Sequence, residues 1–114
     1  MEEKYVDKCQ YAVRVDVTEE AERPPMLRWQ TFDWSSTARR LGAVLCTDIP
    51  DSDLDSAVRV MAAELEGDKR ALEKTHPGVL IELYFDIREG SLFPEELLSR
   101  IKEHFPDAKH SEGK

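Results

Sequence analysis

The stretch that most constrains the fold is Val79–Ile87, which reads Val-Leu-Ile-Glu-Leu-Tyr-Phe-Asp-Ile. In an extended chain every second residue faces the same way, and here that row is entirely apolar: Val79, Ile81, Leu83, Phe85 and Ile87. A period of two with β-branched and aromatic residues is typical of a strand, and a wholly apolar face needs a covering layer. The stretch therefore predicts a strand in the interior of a sheet, with helices packed over its apolar face.

A helical pattern precedes this strand over 52–66. Its apolar residues recur at helical spacing and form one stripe: Leu54, Ala57, Val58, Met61, Ala62 and Leu65. Asp51 or Ser52 is expected to cap the helix. The helix either ends at Gly67 or continues to about Lys74, because Leu72 extends the same stripe.

A second helix is predicted over 94–105, after the strand. Pro94 suits a first helical position, and the acidic residues that follow it suit the positive end of the helix dipole. The buried stripe of this helix is expected to consist of Leu97, Leu98, Ile101 and Phe105. Pro106 ends the pattern, and 107–114 reads as a disordered C-terminal tail.

The first half of the chain reads as strands. The segment 9–18 alternates apolar and polar residues, and 26–34 alternates less clearly, so its register is open. A hairpin closed by the acidic, proline-containing loop 19–25 is the simplest pairing. A third, shorter strand is predicted over 43–49, and Pro50 stops it.

The order β-β-β-α-β-α favours an α+β fold. We expect a mostly antiparallel sheet of about four strands, with the two helices packed on one face. At 114 residues, the chain has the length of one domain, which we place at 1–106.

The formal net charge of −8 narrows the choice of partner. An acidic chain is repelled by nucleic acid and by anionic membranes, and it is attracted to basic proteins. No apolar run reaches the roughly 20 residues of a membrane helix, and the N-terminus lacks a secretory signal. The expected location is therefore the cytoplasm, where Cys9 and Cys46 should stay reduced and buried.

Acidic residues cluster between the third strand and the first helix, at Asp48, Asp51, Asp53 and Asp55. The spacing invites comparison with a calcium loop. An EF-hand, however, needs glycine at the sixth position and glutamate at the twelfth, where this chain has Ser56 and Ala62. Helix capping is the simpler explanation, and the segment remains a concentrated negative patch.

The mixed face of the central strand carries Glu82, Tyr84 and Asp86. Alternate strand residues are about 7 Å apart, so the two carboxylates would lie about 13 Å apart, too far for a glycosidase pair acting alone. A solvated sheet face is the simpler interpretation. If no helix covers it, the three residues could form a shallow polar binding surface.

Aromatic residues crowd the second strand. Trp29 falls on one face and Trp34 on the other, so a one-sided core cannot hold both. Either the strand wraps so that both are partly buried, or one of them is an exposed aromatic anchor within an acidic surface, as at many protein-binding hot spots.

The sequence holds no motif that predicts an enzyme or a cofactor. The three histidines show no metal-ligand spacing, and there is no glycine-rich phosphate loop, nucleophile elbow or Cys-x-x-Cys pair. A catalytic role is therefore disfavoured, and we expect neither a metal nor a cofactor.

The C-terminal half of the chain resembles an uncharacterised bacterial α+β domain family. The resemblance rests on the leucine-rich helix 54–65, the strand Val79–Ile87 and the Phe-Pro-Glu-Glu-Leu-Leu start at 93–98. Some members of that family are similar to immunity proteins, small acidic partners that neutralise a toxin. The resemblance supplies no catalytic residues, and the first half departs from the family's usual opening.

These observations favour an acidic protein-binding module of the immunity or inhibitor kind, docking on a basic partner such as a nuclease. The acidic contributors would be Asp48, Asp51, Asp53 and Asp55 with Glu82, Tyr84 and Asp86, and Trp29 or Trp34 would be the anchor. One alternative is a small enzyme or ligand-binding domain that uses the sheet face around Tyr84, completed by a homodimer partner. Another is a self-assembling structural subunit.

Overall fold

The computed structural model of the chain describes residues 7–33, 39–40 and 44–110, with the backbone alone for 7–10, 32–33, 39–40 and 52. Within these ranges the strands are Asp7–Thr18 (β1), Met26–Asp33 (β2), Arg39–Arg40 (β3), Leu45–Asp48 (β4), Val79–Ile87 (β5) and Lys109–His110 (β6). The helices are Leu54–Thr75 (α1) and Pro94–His104 (α2), and a short 3₁₀ turn covers Pro50–Ser52. The predicted α+β class is confirmed.

The strand segments form one mixed sheet in the order β3-β2-β1-β5-β6, with β4 also pairing with β2. Because β1 occupies one edge of β2 along its whole length, β3 and β4 must share the other edge. The described segments therefore fill five positions across the sheet. β1 occupies the middle one, and β5 lies beside it.

The prediction of a mostly antiparallel sheet is wrong in its centre. β1 pairs with β2 antiparallel, as the predicted hairpin requires, but it pairs with β5 in parallel from Asp7↔Val79 to Val15↔Ile87. β5 can run parallel to β1 because α1 carries the chain from the end of the sheet where β4 stops to the end where β1 begins. The alternation of side chains specifies a strand and its faces, and it carries no information about strand direction.

One face of the sheet holds the core. Cross-strand partners share a face, and the odd-numbered residues within 11–17, 27–31 and 79–87 lie on the face toward the helices. The apolar ones among them form a single cluster with the apolar stripes of α1 and α2. The rings of Phe85 and Phe105 pack with their centroids 5.4 Å apart. The predicted arrangement, with both helices over the apolar face of Val79–Ile87, is confirmed.

α1 has the longer of the two predicted extents. Its buried residues are the six predicted ones, and the helix continues through Gly67 to Thr75. The cap differs from the prediction: Asp53, rather than Asp51 or Ser52, accepts a hydrogen bond from the Ser56 backbone N–H at 3.2 Å. Asp51 and Ser52 belong instead to the 3₁₀ turn. Neither helix of the described ranges combines the length and the apolarity needed to cross a bilayer.

α2 begins at Pro94 as predicted and buries Leu97 and Ile101, and Phe105 directly after it is buried too. The predicted burial of Leu98 is wrong, because its side chain is only partly buried and lies outside the core cluster. The chain after it differs from the predicted tail. Lys109–His110 pairs in parallel with Tyr84 and Phe85 of β5, so this part of 107–114 extends the sheet. Residues 111–114 lie outside the described ranges.

Candidate functional site

Three segments that are distant in sequence meet at one end of the sheet. The Ile49 N–H donates to the Pro25 carbonyl at 3.0 Å, which joins the segment after β4 to the β1–β2 loop. The Leu92 N–H donates to the Val17 carbonyl at 2.9 Å, and the Val17 N–H donates to Ser91 Oγ at 2.9 Å. The turn after β5 is therefore tied to the same end of β1. We call the surface formed by 19–23, 48–55 and 88–96 the acidic end.

The acidic end carries the charge of the whole chain. Its three segments contain ten Asp and Glu residues against two Arg residues, a net charge of −8. The formal net charge of all 114 residues is also −8, so the rest of the chain is neutral in sum. The carboxylates are those of Glu19, Glu20, Glu22, Asp48, Asp51, Asp53, Asp55, Glu89, Glu95 and Glu96. The fold thus concentrates a charge that the sequence spreads over nearly eighty positions.

Two of the four predicted aspartates have local structural roles. Asp53 caps α1, and hydrogen bonds from the Ser56 hydroxyl at 2.7 Å and the Ser56 N–H lower the pKa of Asp53 below its ordinary value. Asp55 pairs with Arg59 at 2.6 Å and lies 3.4 Å from His104 Nε2. Asp48 and Asp51 are exposed. Asp48 and Asp51 are therefore better placed than Asp53 and Asp55 to meet a partner.

Phe93 is an exposed aromatic side chain within the acidic end. It lies between Leu92 and Pro94, its side chain is 53% exposed, and its backbone is left-handed with φ 50° and ψ 49°. This conformation costs a non-glycine residue about 1–2 kcal/mol, and such strain often accompanies a functional position. Sequence reasoning misses Phe93 because the pattern at 93–98 indicates only the start of a helix. The proline that follows Phe93 favours an extended backbone, so the sequence carries no signal for the left-handed conformation that is observed.

The predicted aromatic anchor is wrong for Trp29. Its ring lies opposite Val15 and Leu45 on the helix-facing side and is only 3% exposed, so it belongs to the core. The indole N–H finds no acceptor among the described residues. Trp34 lies outside the described ranges. The expectation that Cys46 is buried is also wrong, because Cys46 on β4 is exposed.

Glu82, Tyr84 and Asp86 lie together on the face of the sheet that neither described helix covers. Each is half-buried, and the Asp86 carboxylate is 3.6 Å from Arg14 Nε on the neighbouring strand. Cross-strand register puts Ala12 beside Tyr84 and Arg14 beside Asp86. The three residues therefore form a mixed polar surface, separate from the acidic end.

A bidentate ion pair stabilises the same face closer to the acidic end. Arg28 donates from Nε to Asp16 Oδ1 at 3.2 Å and from Nη2 to Oδ2 at 3.0 Å. The Asp16 side chain is 9% exposed and that of Arg28 is 42% exposed. The hydrogen bond to Asp16 raises the pKa of Arg28 above its ordinary value. This pair neutralises the one nearly buried carboxylate among the described residues of the face.

An open cleft of about 360 Å³ lies along the outer edge of β5. Four consecutive residues, 80–83, line it, and their side chains alternate between the two faces, so the cleft follows the strand edge. The residues 104–109 form the opposite wall. Of the three predicted sheet-face residues, the cleft includes Glu82 and neither Tyr84 nor Asp86. The cleft is therefore not a pocket formed by all three residues.

Within the described ranges, no three His, Cys, Asp or Glu side chains are grouped so that they could hold a metal ion. Comparison with known protein families, with characterised proteins and with solved structures finds no match to this chain. Its function is therefore inferred from the residues themselves, and the acidic end with Phe93 is the surface with the most distinctive chemistry.

Proposed function

We propose that the chain is a protein-binding module of the immunity or inhibitor kind, which docks its acidic end on a basic surface of a partner protein. The observation that carries this proposal is the convergence of 19–23, 48–55 and 88–96 at one end of the sheet, with a net charge of −8. A surface of this kind accelerates encounter with a cationic partner and disfavours acidic competitors.

Phe93 supports the same proposal. Charge at an exposed surface raises the rate of encounter with a partner and the selectivity for it. Most of the binding energy of an interface comes from a few desolvated anchor residues. An aromatic ring that is 53% exposed, in a segment that also carries Glu89, Glu95 and Glu96, has the properties of such an anchor. Its left-handed backbone keeps the ring at the start of α2 at a cost in stability.

The proposed partner is a basic protein, such as a toxin or nuclease whose active site is cationic, and the proposed location is the cytoplasm. A nucleic acid or an anionic membrane would be repelled by this surface. The polar surface around Glu82, Tyr84 and Asp86 lies on the open face of the sheet rather than at its end, and the proposal does not require the partner to contact it.

The test is a capture experiment from lysate of the source organism at low salt, with three forms of the protein as bait. The first is the wild type. The second removes five charges from the acidic end and keeps the capping Asp53 and the ion-paired Asp55, through Glu19→Gln, Glu20→Gln, Asp51→Asn, Glu89→Gln and Glu95→Gln. The third is a matched control that removes five exposed charges elsewhere, through Glu64→Gln, Glu66→Gln, Glu73→Gln, Glu103→Gln and Asp107→Asn.

The proposal predicts one basic protein that is retained by the wild type and the control and is released by 0.5 M salt. The acidic-end variant should lose this protein, because removal of the five charges slows its association with the partner by about tenfold or more. Phe93→Ala should weaken retention while leaving its salt dependence unchanged. Equal retention by both five-site variants would contradict the proposal, since the location of the charge would then be irrelevant.

The cleft beside β5 supports a second candidate, a ligand-binding protein. A volume of about 360 Å³ is sufficient for a small molecule or a short peptide. A thermal-shift screen of small metabolites tests it, with Glu82→Gln as the variant that should abolish any stabilisation. A ligand that stabilises both forms equally would argue against this site.

A further inference from the structure

The outer edge of β5 is paired over only part of its length. β6 lies beside Tyr84 and Phe85, and no strand of the described ranges lies beside 79–83. The cleft of about 360 Å³ follows this part of β5 at 80–83, with 104–109 as its opposite wall. The cleft therefore gives access to a strand edge, and an unpaired edge is a template for a further strand.

The hydrogen bonds to β1 show which backbone groups of β5 face the cleft. In a parallel pair, alternate residues of a strand direct both their N–H and their C=O to the same neighbouring strand. The Arg88 N–H continues the β1–β5 register and donates to the Val15 carbonyl at 2.9 Å, so the even-numbered residues of β5 face β1. Ile81 and Leu83 therefore direct their backbone groups outward. Because β6 begins only beside Tyr84, the Ile81 N–H, the Ile81 C=O and the Leu83 N–H have no strand partner within the described ranges.

The two sides of the cleft differ in chemistry. On the helix side, the buried Phe105 and the half-buried Ala108 continue the apolar core. On the open face of the sheet, Leu80 and Glu82 are half-buried. Two lysines balance two carboxylates among the ionisable residues of the lining, which are Lys69, Glu82, His104, Asp107 and Lys109. Unlike the acidic end, the cleft has no net charge with which to select a ligand.

We infer that the cleft binds an extended peptide segment of a partner protein, which adds to the sheet as a short strand beside β5 and in line with β6. The positions 80–83 span about 10 Å, the length of three or four extended residues. A peptide residue beside Ile81 directs its side chain to the helix side, toward Phe105 and Ala108, and its two neighbours direct theirs to the open face. The site requires backbone donors and acceptors at strand spacing, an apolar side chain on one face and no net charge. An extended peptide meets all three requirements.

The inference deepens the second candidate function and rests on the cleft being a binding site. It is separate from the acidic end, because peptide binding in the cleft should persist in 0.5 M salt, which releases the basic partner. If a small metabolite stabilises the protein through Glu82 and no peptide binds, this inference fails and the second candidate function stands.

Amide hydrogen exchange measured by NMR tests the pairing. In the free protein, the Ile81 amide should exchange faster than the Glu82 amide, which pairs with β1. The probes are blocked peptides of the form acetyl-Thr-X-Thr-X-Thr-amide, with Val, Ile, Leu or Phe at each X. A bound peptide should slow the exchange of the Ile81 and Leu83 amides by about tenfold and leave the acidic end unchanged. Failure of every peptide to bind at millimolar concentration, or binding without protection of Ile81 and Leu83, would overturn the inference.

Two N-methylated versions of the best peptide are matched controls. One version is methylated at the threonines and the other at the X residues, so each loses the N–H donors on one edge of the bound strand. Only one of the two should lose affinity, by about tenfold, because only one edge of the peptide faces β5. Loss with methylated threonines indicates a parallel strand, and loss with methylated X residues indicates an antiparallel one. Binding that is insensitive to both versions, or equally weakened by both, would contradict strand addition.

Discussion

Phe93 provides a specific stability test. Its left-handed backbone should make a glycine variant more stable than an alanine variant, the reverse of the usual order. Phe93→Ala and Phe93→Gly both remove a ring that is about half buried, which costs each variant about 1 kcal/mol. At φ 50° alanine keeps a strain of about 1–2 kcal/mol that glycine does not have. Glycine loses about 0.5–1 kcal/mol of this advantage through its greater freedom in the unfolded chain. Phe93→Gly should therefore be more stable than Phe93→Ala by about 0.75 kcal/mol, the difference between the midpoints of these two ranges.

Gly67 is the matched control for this comparison. It lies inside α1, its φ is not left-handed, and a Cβ at this position would meet open space. Gly67→Ala should therefore stabilise the protein by about 0.5–1 kcal/mol, since glycine is a poor residue for a helix interior. Glycine should thus be more stable than alanine at position 93 and less stable than alanine at position 67.

Urea unfolding followed by circular dichroism measures both differences. A change of 1 kcal/mol corresponds to about 4 °C in Tm for a domain of this size, so thermal melts provide a second readout. The reasoning is refuted if Phe93→Ala is as stable as Phe93→Gly. That result would mean that the Phe93 backbone is not held in the left-handed region, and that the strain argument for a functional role fails.

Three further predictions concern stability. Arg28→Ala should lower the free energy of unfolding in urea by about 1–2 kcal/mol, a value reduced by solvent screening. Asp16→Asn should lower it less, because an amide needs no counter-charge. The reverse order would contradict the ion-pair account. Phe85→Ala should cost about 3–5 kcal/mol, since it opens a cavity beneath α2; a loss below 1 kcal/mol would place Phe85 outside the core. The pKa of Asp53 is lowered on folding, so its stabilisation is present above about pH 4 and is lost as the pH falls through the folded pKa. The Tm difference between wild type and Asp53→Asn should therefore shrink in that acidic range, and a constant difference would refute the assignment.

Local periodicity was enough to predict most of the residues that enter the core, although it placed Leu98 there wrongly. The stripe from Leu54 to Leu65 and the apolar face of Val79–Ile87 depend only on spacings of a few residues, and each lies in the observed cluster. The parallel pairing of β1 with β5 depends on the path of α1 across the sheet. No pattern within either strand specifies that path, so the sequence predicts more antiparallel pairing than the structure has.

The candidate site was less accessible to sequence reasoning than the core. The cluster at 48–55 was visible as a run, but 19–23 and 88–96 join it only through hydrogen bonds between distant segments. The sequence leaves the register of β2 open and so allows Trp29 to be an exposed anchor, whereas the observed pairing with Val15 places its ring in the core. Phe93 is exposed through a backbone conformation that residue type alone does not predict.

The most direct test of the central claim is a hydrogen-exchange footprint of the protein bound to the partner captured at low salt. The account predicts protection at 19–23, 48–53 and 88–93, with little change at Glu82, Tyr84 and Asp86. Protection confined to the helix-free face around Tyr84, with the acidic end unchanged, would contradict it and would assign binding to the sheet surface instead.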